Sequence, residues 1–260
     1  MHHRDLDRIS LSAKARRLAR MLTYTRAAWK ELRQIQKCQP LTTSLSGPVA
    51  KRWAANLLDQ FHVDVVLTGA EPLAQPCLRV SNHVSYLDIL VWLISAPCCF
   101  LSKSGVKGVP LIGSGATMLG TVYLERNRQD SRQAARDSIA RAVHEGERQL
   151  VVFPGGTTSR SGLPWRHGAF EVAARHGLWV QATTLRYCDP ALIGWEQEPF
   201  PSHLWEILGS RRRLSVEVHF FEPEQIEHPQ QAAARLQALV RDHALATRGA
   251  SHPDCARVSV

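Results

Sequence analysis

Residues 82–88 read Asn-His-Val-Ser-Tyr-Leu-Asp and place a histidine and an aspartate five positions apart. A strand-like apolar run precedes this segment and a helix-like run follows it, which puts His83 in a turn and Asp88 about one turn into a helix. There the carboxylate reaches one ring nitrogen while the other faces a cleft. A histidine held in this way can take a proton from an alcohol. These residues alone leave two readings open, a catalytic pair and a surface pair or helix cap.

Two further segments lie at the ends of predicted strands, and each ends in an arginine. Residues 120–126 read Gly-Thr-Val-Tyr-Leu-Glu-Arg, and residues 153–160 read Phe-Pro-Gly-Gly-Thr-Thr-Ser-Arg. Backbone N–H groups in such a turn, with hydroxyls and a guanidinium, suit the oxygens of a phosphate or a carboxylate. The alternative is an ordinary surface turn, and the P-loop pattern is absent. The candidate substrate-binding residues are Gly120, Arg126, Gly155, Gly156, Thr157, Thr158, Ser159 and Arg160.

The sequence contains no motif for a protein nucleophile or a zinc site. A Gly-x-Ser-x-Gly elbow is absent, so direct attack by a hydroxyl group of the substrate is the simpler scheme. The six cysteines are scattered without Cys-x-x-Cys spacing. This pattern argues against a zinc site or a disulfide framework and favours a reducing compartment.

Residues 1–62 are interpreted as a basic, amphipathic helix–loop–helix extension. Leu18, Leu22 and Trp29 belong to one apolar stripe at helical spacing. A loop rich in Ser, Thr and Pro precedes a second, shorter amphipathic helix. The formal net charge of the chain is +9, and residues 1–37 hold ten Lys or Arg against three acidic residues. A basic end of this kind favours an anionic partner, either a membrane surface or a nucleic acid.

An anionic membrane surface is the partner that we predict, and no nucleic acid. Zinc-finger spacing, a helix-turn-helix pattern and a basic strand studded with aromatic residues are all absent. The longest apolar run, residues 89–101, contains a proline and is too short to span a bilayer. We therefore expect a peripheral protein whose N-terminal helices lie on the membrane. The alternative is that their apolar stripe packs on the remainder of the chain.

From residue 63 onward, short β-branched runs alternate with helical stretches, which predicts an α/β domain over residues 63–248 with a layered mixed β-sheet flanked by helices. Residues 199–213 are predicted to be irregular, and residues 249–260 a frayed tail. The predicted strands are residues 63–68, 78–81, 98–101, 121–124, 149–153, 179–185 and 214–221. The predicted helices of this domain are residues 86–95, 130–145, 169–176 and 229–246.

The three segments, in this order and spacing, resemble the glycerolipid acyltransferase family of 1-acylglycerol-3-phosphate acyltransferases. That family is marked by Asn-His-x4-Asp, then Gly-x-x-Phe/Tyr-Ile/Leu-x-Arg, then Phe-Pro-Glu-Gly-Thr/Ser-x-Ser. The corresponding segments of this chain are NHVSYLD, GTVYLER and FPGGTTS. The similarity covers roughly residues 63–221 and extends to Lys103, Pro110 and Gly113 between the first two segments.

The resemblance implies an O-acyltransferase of membrane phospholipid biosynthesis. His83, oriented by Asp88, would deprotonate the free hydroxyl of a lyso-lipid, expected to be 1-acyl-sn-glycerol-3-phosphate. The alkoxide would attack the thioester of acyl-carrier protein or acyl-CoA, the co-substrate, with no metal or redox cofactor. Arg126, the turn at residues 155–159 and Arg160 would hold the anionic head group. The implied location is the cytoplasmic side of the inner membrane, without a spanning helix.

Two positions depart from the family pattern. Gly155 stands where the third segment usually has glutamate, and residues 180–183, Val-Gln-Ala-Thr, lack the proline of the fourth segment. In the family the glutamate is associated with the acyl acceptor, and threonine at position 158 also occurs in relatives with other lyso-lipid acceptors. A different acceptor, such as lyso-ornithine lipid, and a catalytically inactive lipid-binding homologue therefore remain alternatives.

Overall fold

The computed structural model describes residues 8–108, 112–124, 129–144, 149–196 and 198–246. The chain begins with two long helices, α1 (Leu11–Cys38) and α2 (Thr43–Gln60), which pack against each other. The hydroxyl of Ser10 caps the first of them by accepting a hydrogen bond from the Ala13 N–H, a preferred way to satisfy a free helix donor. The predicted pair of N-terminal helices is therefore present.

A mixed sheet forms the centre of the molecule, in the order β1-β7-β6-β2-β5-β3-β4, with β8 paired to β6. All the neighbouring pairs are parallel except β6 with β7 and β6 with β8. The parallel pairs place the C-terminal ends of β2 and β5 at one edge. The strands are β1 (Val63–Gly69), β2 (Cys77–Ser81), β3 (Cys99–Lys103), β4 (Val122–Leu124), β5 (Gln149–Val152), β6 (Trp179–Tyr187), β7 (Leu214–Phe220) and β8 (Glu224–Gln225).

Helices cover both faces of the sheet, so the central strands are buried on both sides, as parallel sheets usually are. One core cluster joins α2 and α3 to the sheet, and a second joins α5, α6 and α9 to its other face. The remaining helices are α3 (Leu87–Ser95), α4 (Ile112–Met118), α5 (Gln129–His144), α6 (Gly168–His176), α7 (Pro190–Ile193), α8 (Phe200–Leu208) and α9 (Pro229–Leu245).

The predicted α/β class is confirmed, with local differences at α4, α7, α8 and β8, which were not predicted. The segment predicted to be irregular contains α8, which the aromatic residues Phe200 and Trp205 anchor against Tyr86 and Lys14. The sequence did not indicate α4, which is short and rich in glycine. A predicted tail at residues 249–260 lies outside the described residues.

The second helix is part of the core rather than a free surface element. Leu57, Leu58 and Phe61 are buried, at 6%, 2% and 1% exposure, and belong to the cluster that contains α3. Burying side chains of this size contributes about 1.5–3 kcal/mol each. These side chains of the predicted membrane-facing extension therefore face the core and are not available to a membrane. The division at residue 62 remains a prediction, and core packing continues across it.

Candidate active site

The loop between β2 and α3 is fixed to the sheet by the asparagine of the first segment. The Asn82 side chain donates to the Leu185 carbonyl at 2.8 Å and accepts from the Leu185 N–H, also at 2.8 Å. These two bonds extend the pairing of β2 with β6 by one residue beyond Ser81. The next residue, His83, consequently sits immediately beyond the C-terminal end of the strand.

Asp88, in the first turn of α3, is fully buried and is surrounded by hydrogen-bond donors. Its Oδ2 accepts from the N–H groups of Val84 and Ser85 at 2.7 and 3.1 Å. Its Oδ1 accepts from the Tyr187 hydroxyl at 2.6 Å. A buried carboxylate needs such partners because an unpaired charge in the interior costs several kcal/mol. The loop geometry therefore holds one defined carboxylate orientation.

The imidazole of His83 lies between this carboxylate and the solvent. Its Nδ1 is 2.8 Å from Asp88 Oδ2, and a carboxylate at that distance requires Nδ1 to carry a proton. The opposite nitrogen, Nε2, then has a free lone pair and no hydrogen-bond partner among the described residues. The side chain is 18% exposed, and one ring face stacks on Phe153, with centroids 3.9 Å apart.

Tyr187 completes the pair from the far end of β6. Burial raises the pKa of Tyr187 well above its ordinary value, and the adjacent charge and hydrogen bond of Asp88 raise it further. The phenol is therefore a permanent donor to the carboxylate. Sequence reasoning missed this residue because its contact with Asp88 depends on sheet order, which a sequence pattern does not encode.

The third segment is attached directly to the histidine. The N–H of Ser159 donates to the His83 carbonyl at 2.9 Å. A tight turn between Phe153 and Gly156 precedes it, closed by a 2.9 Å hydrogen bond, and the φ of +82° at Gly156 favours glycine. The N–H groups of Gly155, Thr157 and Thr158 have no hydrogen-bond partner among the described residues. The first and third segments are thus in direct contact.

Arg160 is engaged with protein groups. Its Nε and Nη2 donate to the Gly194 carbonyl at 3.0 and 2.6 Å, and Nη2 also contacts the Glu198 carboxylate. Glu196 accepts from the Arg160 N–H at 2.8 Å. Hydrogen bonds from the Glu196 N–H and its own N–H, followed by one from Arg160, lower the pKa of Glu198 to about 2. The predicted contact of Arg160 with a substrate anion stays a prediction.

Of the second segment, only the first five residues are described. Gly120 follows α4 with a φ of +75°, and Thr121 N–H donates to the Ala116 carbonyl at 3.0 Å. This is the Schellman arrangement in which glycine ends a helix, so the glycine shapes the turn. Arg126 lies outside the described residues, and its predicted role as a head-group ligand stays a prediction.

The segment at residues 194–198 was also missed by sequence reasoning. The Trp195 N–H donates to the Val84 carbonyl at 2.9 Å, and the indole packs edge-on against Tyr86. Two glutamates of this segment, Glu196 and Glu198, contact Arg160 at the end of the third segment. A tryptophan followed by acidic residues is a weak signal, because this pattern is typical of many surface loops.

Together these contacts hold His83 as a base whose Nε2 is available. They also place beside it the turn of the third segment, whose N–H donors have no partner among the described residues. Such a site can remove a proton from a hydroxyl group while backbone dipoles stabilise a developing oxyanion. The described residues near His83 include no cysteine or serine that hydrogen-bonds to the imidazole. The geometry therefore fits transfer to a hydroxyl of the substrate rather than to a protein nucleophile.

Comparisons with known proteins agree with this chemistry. The Acyltransferase family profile matches residues 64–186. The lyso-ornithine lipid O-acyltransferase of Pseudomonas aeruginosa is 34% identical over 205 residues, covering 76% of this chain and 77% of that protein. The 1-acyl-sn-glycerol-3-phosphate acyltransferase of Neisseria gonorrhoeae is 27% identical over 225 residues, covering 82% and 85%.

A solved structure shares the fold. The 1-acyl-sn-glycerophosphate acyltransferase of Thermotoga maritima superposes with a TM-score of 0.56 at 16% sequence identity, covering 93% of this chain and 100% of that one. At this identity the likeness bears on the fold alone. The matched profile and the extensive similarity to the Pseudomonas protein, however, include all three segments of the sequence. The chain therefore belongs to the glycerolipid acyltransferase family and is an O-acyltransferase.

Proposed function

We propose that this protein transfers a fatty acyl group from an acyl thioester, carried by acyl-carrier protein or coenzyme A, to the free hydroxyl of a lyso-lipid. The observation that carries the proposal is the pair of His83 and Asp88. The buried carboxylate fixes the proton on Nδ1 and leaves Nε2 open to the solvent side. The names of the relatives supply the class of acceptor.

In the proposed reaction, Nε2 of His83 takes the proton of the acceptor hydroxyl as its oxygen attacks the thioester carbonyl. The Asp88 carboxylate stabilises the imidazolium that forms. Collapse of the tetrahedral intermediate breaks the carbon–sulfur bond, and the thiolate leaves and takes the proton from the imidazolium. The products are the diacylated lipid and the free thiol, and every proton is accounted for without a metal or redox group.

The turn of the third segment is the proposed oxyanion and head-group site. The N–H groups of Gly155, Thr157 and Thr158 have no hydrogen-bond partner among the described residues. The Ser159 N–H holds the turn beside the histidine by donating a 2.9 Å hydrogen bond to the His83 carbonyl. Groups that are fixed before substrate arrives need no reorganisation when charge develops. We assign Arg126, by its place in the second segment, as the guanidinium that contacts the acceptor's anionic group.

The expected acceptor is 1-acyl-sn-glycerol-3-phosphate, and lyso-ornithine lipid is a second candidate. The second is favoured by the environment of Arg160, whose charge is shared with Glu198 and Glu196. A loop that carries two carboxyl groups beside one guanidinium is poorly suited to a doubly charged phosphate. It suits a zwitterionic amino-acid head group better, because an ammonium and a carboxylate both find partners.

Acyl transfer from radiolabelled acyl-carrier protein or acyl-CoA to each acceptor tests the proposal directly. The proposal is supported if the protein acylates either acceptor and if His83→Ala abolishes that activity. The absence of transfer to any lyso-lipid would contradict it.

The Gly155→Glu variant tests which acceptor the enzyme prefers. A Cβ at position 155 would stand 3.4 Å from Leu163 Cβ, an ordinary contact, so the turn accepts the change. We expect this variant, compared with Gly155→Gln as a neutral control, to shift the preference toward 1-acyl-sn-glycerol-3-phosphate.

We further propose that the enzyme reaches its acceptor by docking on an anionic membrane surface on the cytoplasmic side, where acyl thioesters are made. Within the described residues, no helix is long and apolar enough to cross a bilayer. Much of the α1 stripe packs inward, since Leu32 is buried and Leu18 contacts the core. The outward surface, here termed the α1 basic face, consists of exposed Leu11, Leu22, Arg16, Arg20, Arg26 and Arg33.

A further inference from the structure

Three potential metal ligands meet on the face of the sheet that α9 covers. Glu217 and His219 are two residues apart on β7, which places both side chains on one face of the strand. His243 projects from the last turns of α9 toward them. One ligand atom from each of the three side chains lies within 4.8 Å of the others. This is the only such group of three among the described residues.

A threonine hydroxyl sets the protonation of the histidine on the strand. Thr68 Oγ1 is 2.7 Å from Glu217 Oε1 and 2.9 Å from His219 Nδ1. A hydroxyl has one proton, and the carboxylate can only accept it, so His219 must donate its Nδ1 proton to the threonine oxygen. Nε2 of His219 is then left with a free lone pair. Metal-binding histidines are held in the same manner, by a hydrogen bond from the nitrogen that does not bind metal.

The second histidine has an unused nitrogen. Nδ1 of His243 is buried and has no hydrogen-bond partner among the described residues, although buried ring nitrogens are normally satisfied. Its ring stacks on that of His219, with centroids 4.0 Å apart. A nitrogen of each ring lies within 4.8 Å of the other, so the two side chains can turn these nitrogens toward one ion. Arg186 contacts the other carboxylate oxygen, Oε2 of Glu217. It orients that carboxylate and leaves Oε1 on the histidine side.

From this arrangement we propose that His219, His243 and Glu217 bind one divalent transition-metal ion of the zinc class. Two imidazoles and one carboxylate suit such an ion, and a fourth position stays open to water. Zinc–nitrogen bonds are about 2.0–2.1 Å long, so zinc binding requires the three ligand atoms to lie closer together than the 4.8 Å within which they stand here. Because Arg186 neutralises Glu217, the affinity is expected to be lower than in cysteine-rich zinc sites.

The site would fasten α9 to the sheet and is separate from the catalytic pair. Arg186 and Tyr187 are consecutive on β6, so their side chains point to opposite faces of the sheet. Tyr187 reaches Asp88 on one face, and Arg186 reaches Glu217 on the other. The metal would therefore act as a structural tie, and its presence can be measured without reference to acyl transfer.

Zinc binding to the full-length protein tests the inference. Any bound metal is first removed from the protein with a chelator. Zinc is then added, and the number of zinc ions bound per chain is measured by equilibrium dialysis and elemental analysis. His243→Ala removes one ligand, Thr68→Val removes the hydroxyl that orients His219, and His228→Ala is the matched control. His228 is exposed at the start of α9 and makes no capping hydrogen bond through its side chain.

We expect the wild type and His228→Ala to bind one more zinc ion per chain than His243→Ala. Thr68→Val should bind it about 10- to 100-fold more weakly, the usual cost of losing such a supporting hydrogen bond. Zinc should also raise the melting temperature of the wild type but not that of His243→Ala. Circular dichroism of the metal-free variants checks that each is folded.

Replacing zinc by cobalt distinguishes the proposed site from metal binding at the exposed thiols of Cys38 and Cys188. A site of two imidazoles and a carboxylate gives cobalt d–d bands without a thiolate charge-transfer band. Equal zinc binding by the wild type and His243→Ala would overturn the proposal. So would a thiolate band that accounts for all the bound cobalt, the absence of bound zinc, or unchanged affinity in Thr68→Val.

Discussion

Replacement of Asp88 by asparagine separates the charge of the carboxylate from its shape. The oxygen of the amide introduced by Asp88→Asn can occupy the place of Oδ2 and accept the same three bonds, from His83 Nδ1 and from the N–H groups of Val84 and Ser85. The amide nitrogen then takes the place of Oδ1, where the Tyr187 hydroxyl can turn and accept from it. The tautomer and orientation of the imidazole are thereby kept, and only the negative charge is lost.

The expected loss of activity in Asp88→Asn can be calculated from the short distance between His83 and Asp88. At 2.8 Å between Nδ1 and Oδ2, two unit charges interact by about 6 kcal/mol at an effective dielectric constant of about 20. Val84, Ser85 and Tyr187 already share the carboxylate's charge, and His83 is partly exposed, so we take about half of this value as the loss in the transition state. About 3 kcal/mol corresponds to a turnover roughly 150-fold lower.

The assay is kcat for acyl transfer, measured at saturating concentrations of acceptor and donor. Asp189→Asn is the matched control: Asp189 caps α7 through one side-chain oxygen, which asparagine retains, and its kcat should not change. A folded Asp88→Asn protein with wild-type kcat would refute the electrostatic role of the carboxylate.

Three other predictions concern the base, its support and the membrane. His83→Ala should lower turnover by about two to four orders of magnitude while lipid binding persists, because only the proton acceptor is removed; near-normal kcat would contradict this. Tyr187→Phe should lower the free energy of unfolding by about 1.5–3 kcal/mol, since a buried charged acceptor loses its donor; an unchanged urea midpoint would count against it. Changing three arginines of the α1 basic face to glutamine should weaken binding to anionic vesicles over 100-fold, at about 1 kcal/mol per cation near the surface, with added salt having the same effect. An equal binding loss after the same change at Arg166, Arg175 and Arg211 would show that total charge matters instead.

The N-terminal helices show where periodicity stops being informative. Helical spacing identified α1 and α2 and their apolar stripes, because a helix repeats every 3.6 residues whatever it packs against. The same stripe predicts a membrane face and a core face equally well. Only packing decided that Leu57 of α2 and Phe61, the residue that follows this helix, lie in the core. Packing also decided that Arg17 of α1 binds the carbonyls of Leu208 and Ser210.

In the active site, the sequence by itself determined the pair of His83 and Asp88 and the turn of the third segment. Those residues are close along the chain or belong to a spaced pattern, and local turn and helix geometry suffices to bring them together. The tertiary structure alone decided that Tyr187 donates to Asp88 and that Glu198 pairs with Arg160. Such contacts join residues from distant parts of the chain. They are set by the order of strands in the sheet and by the burial that order creates, and neither property is carried by any short stretch of sequence.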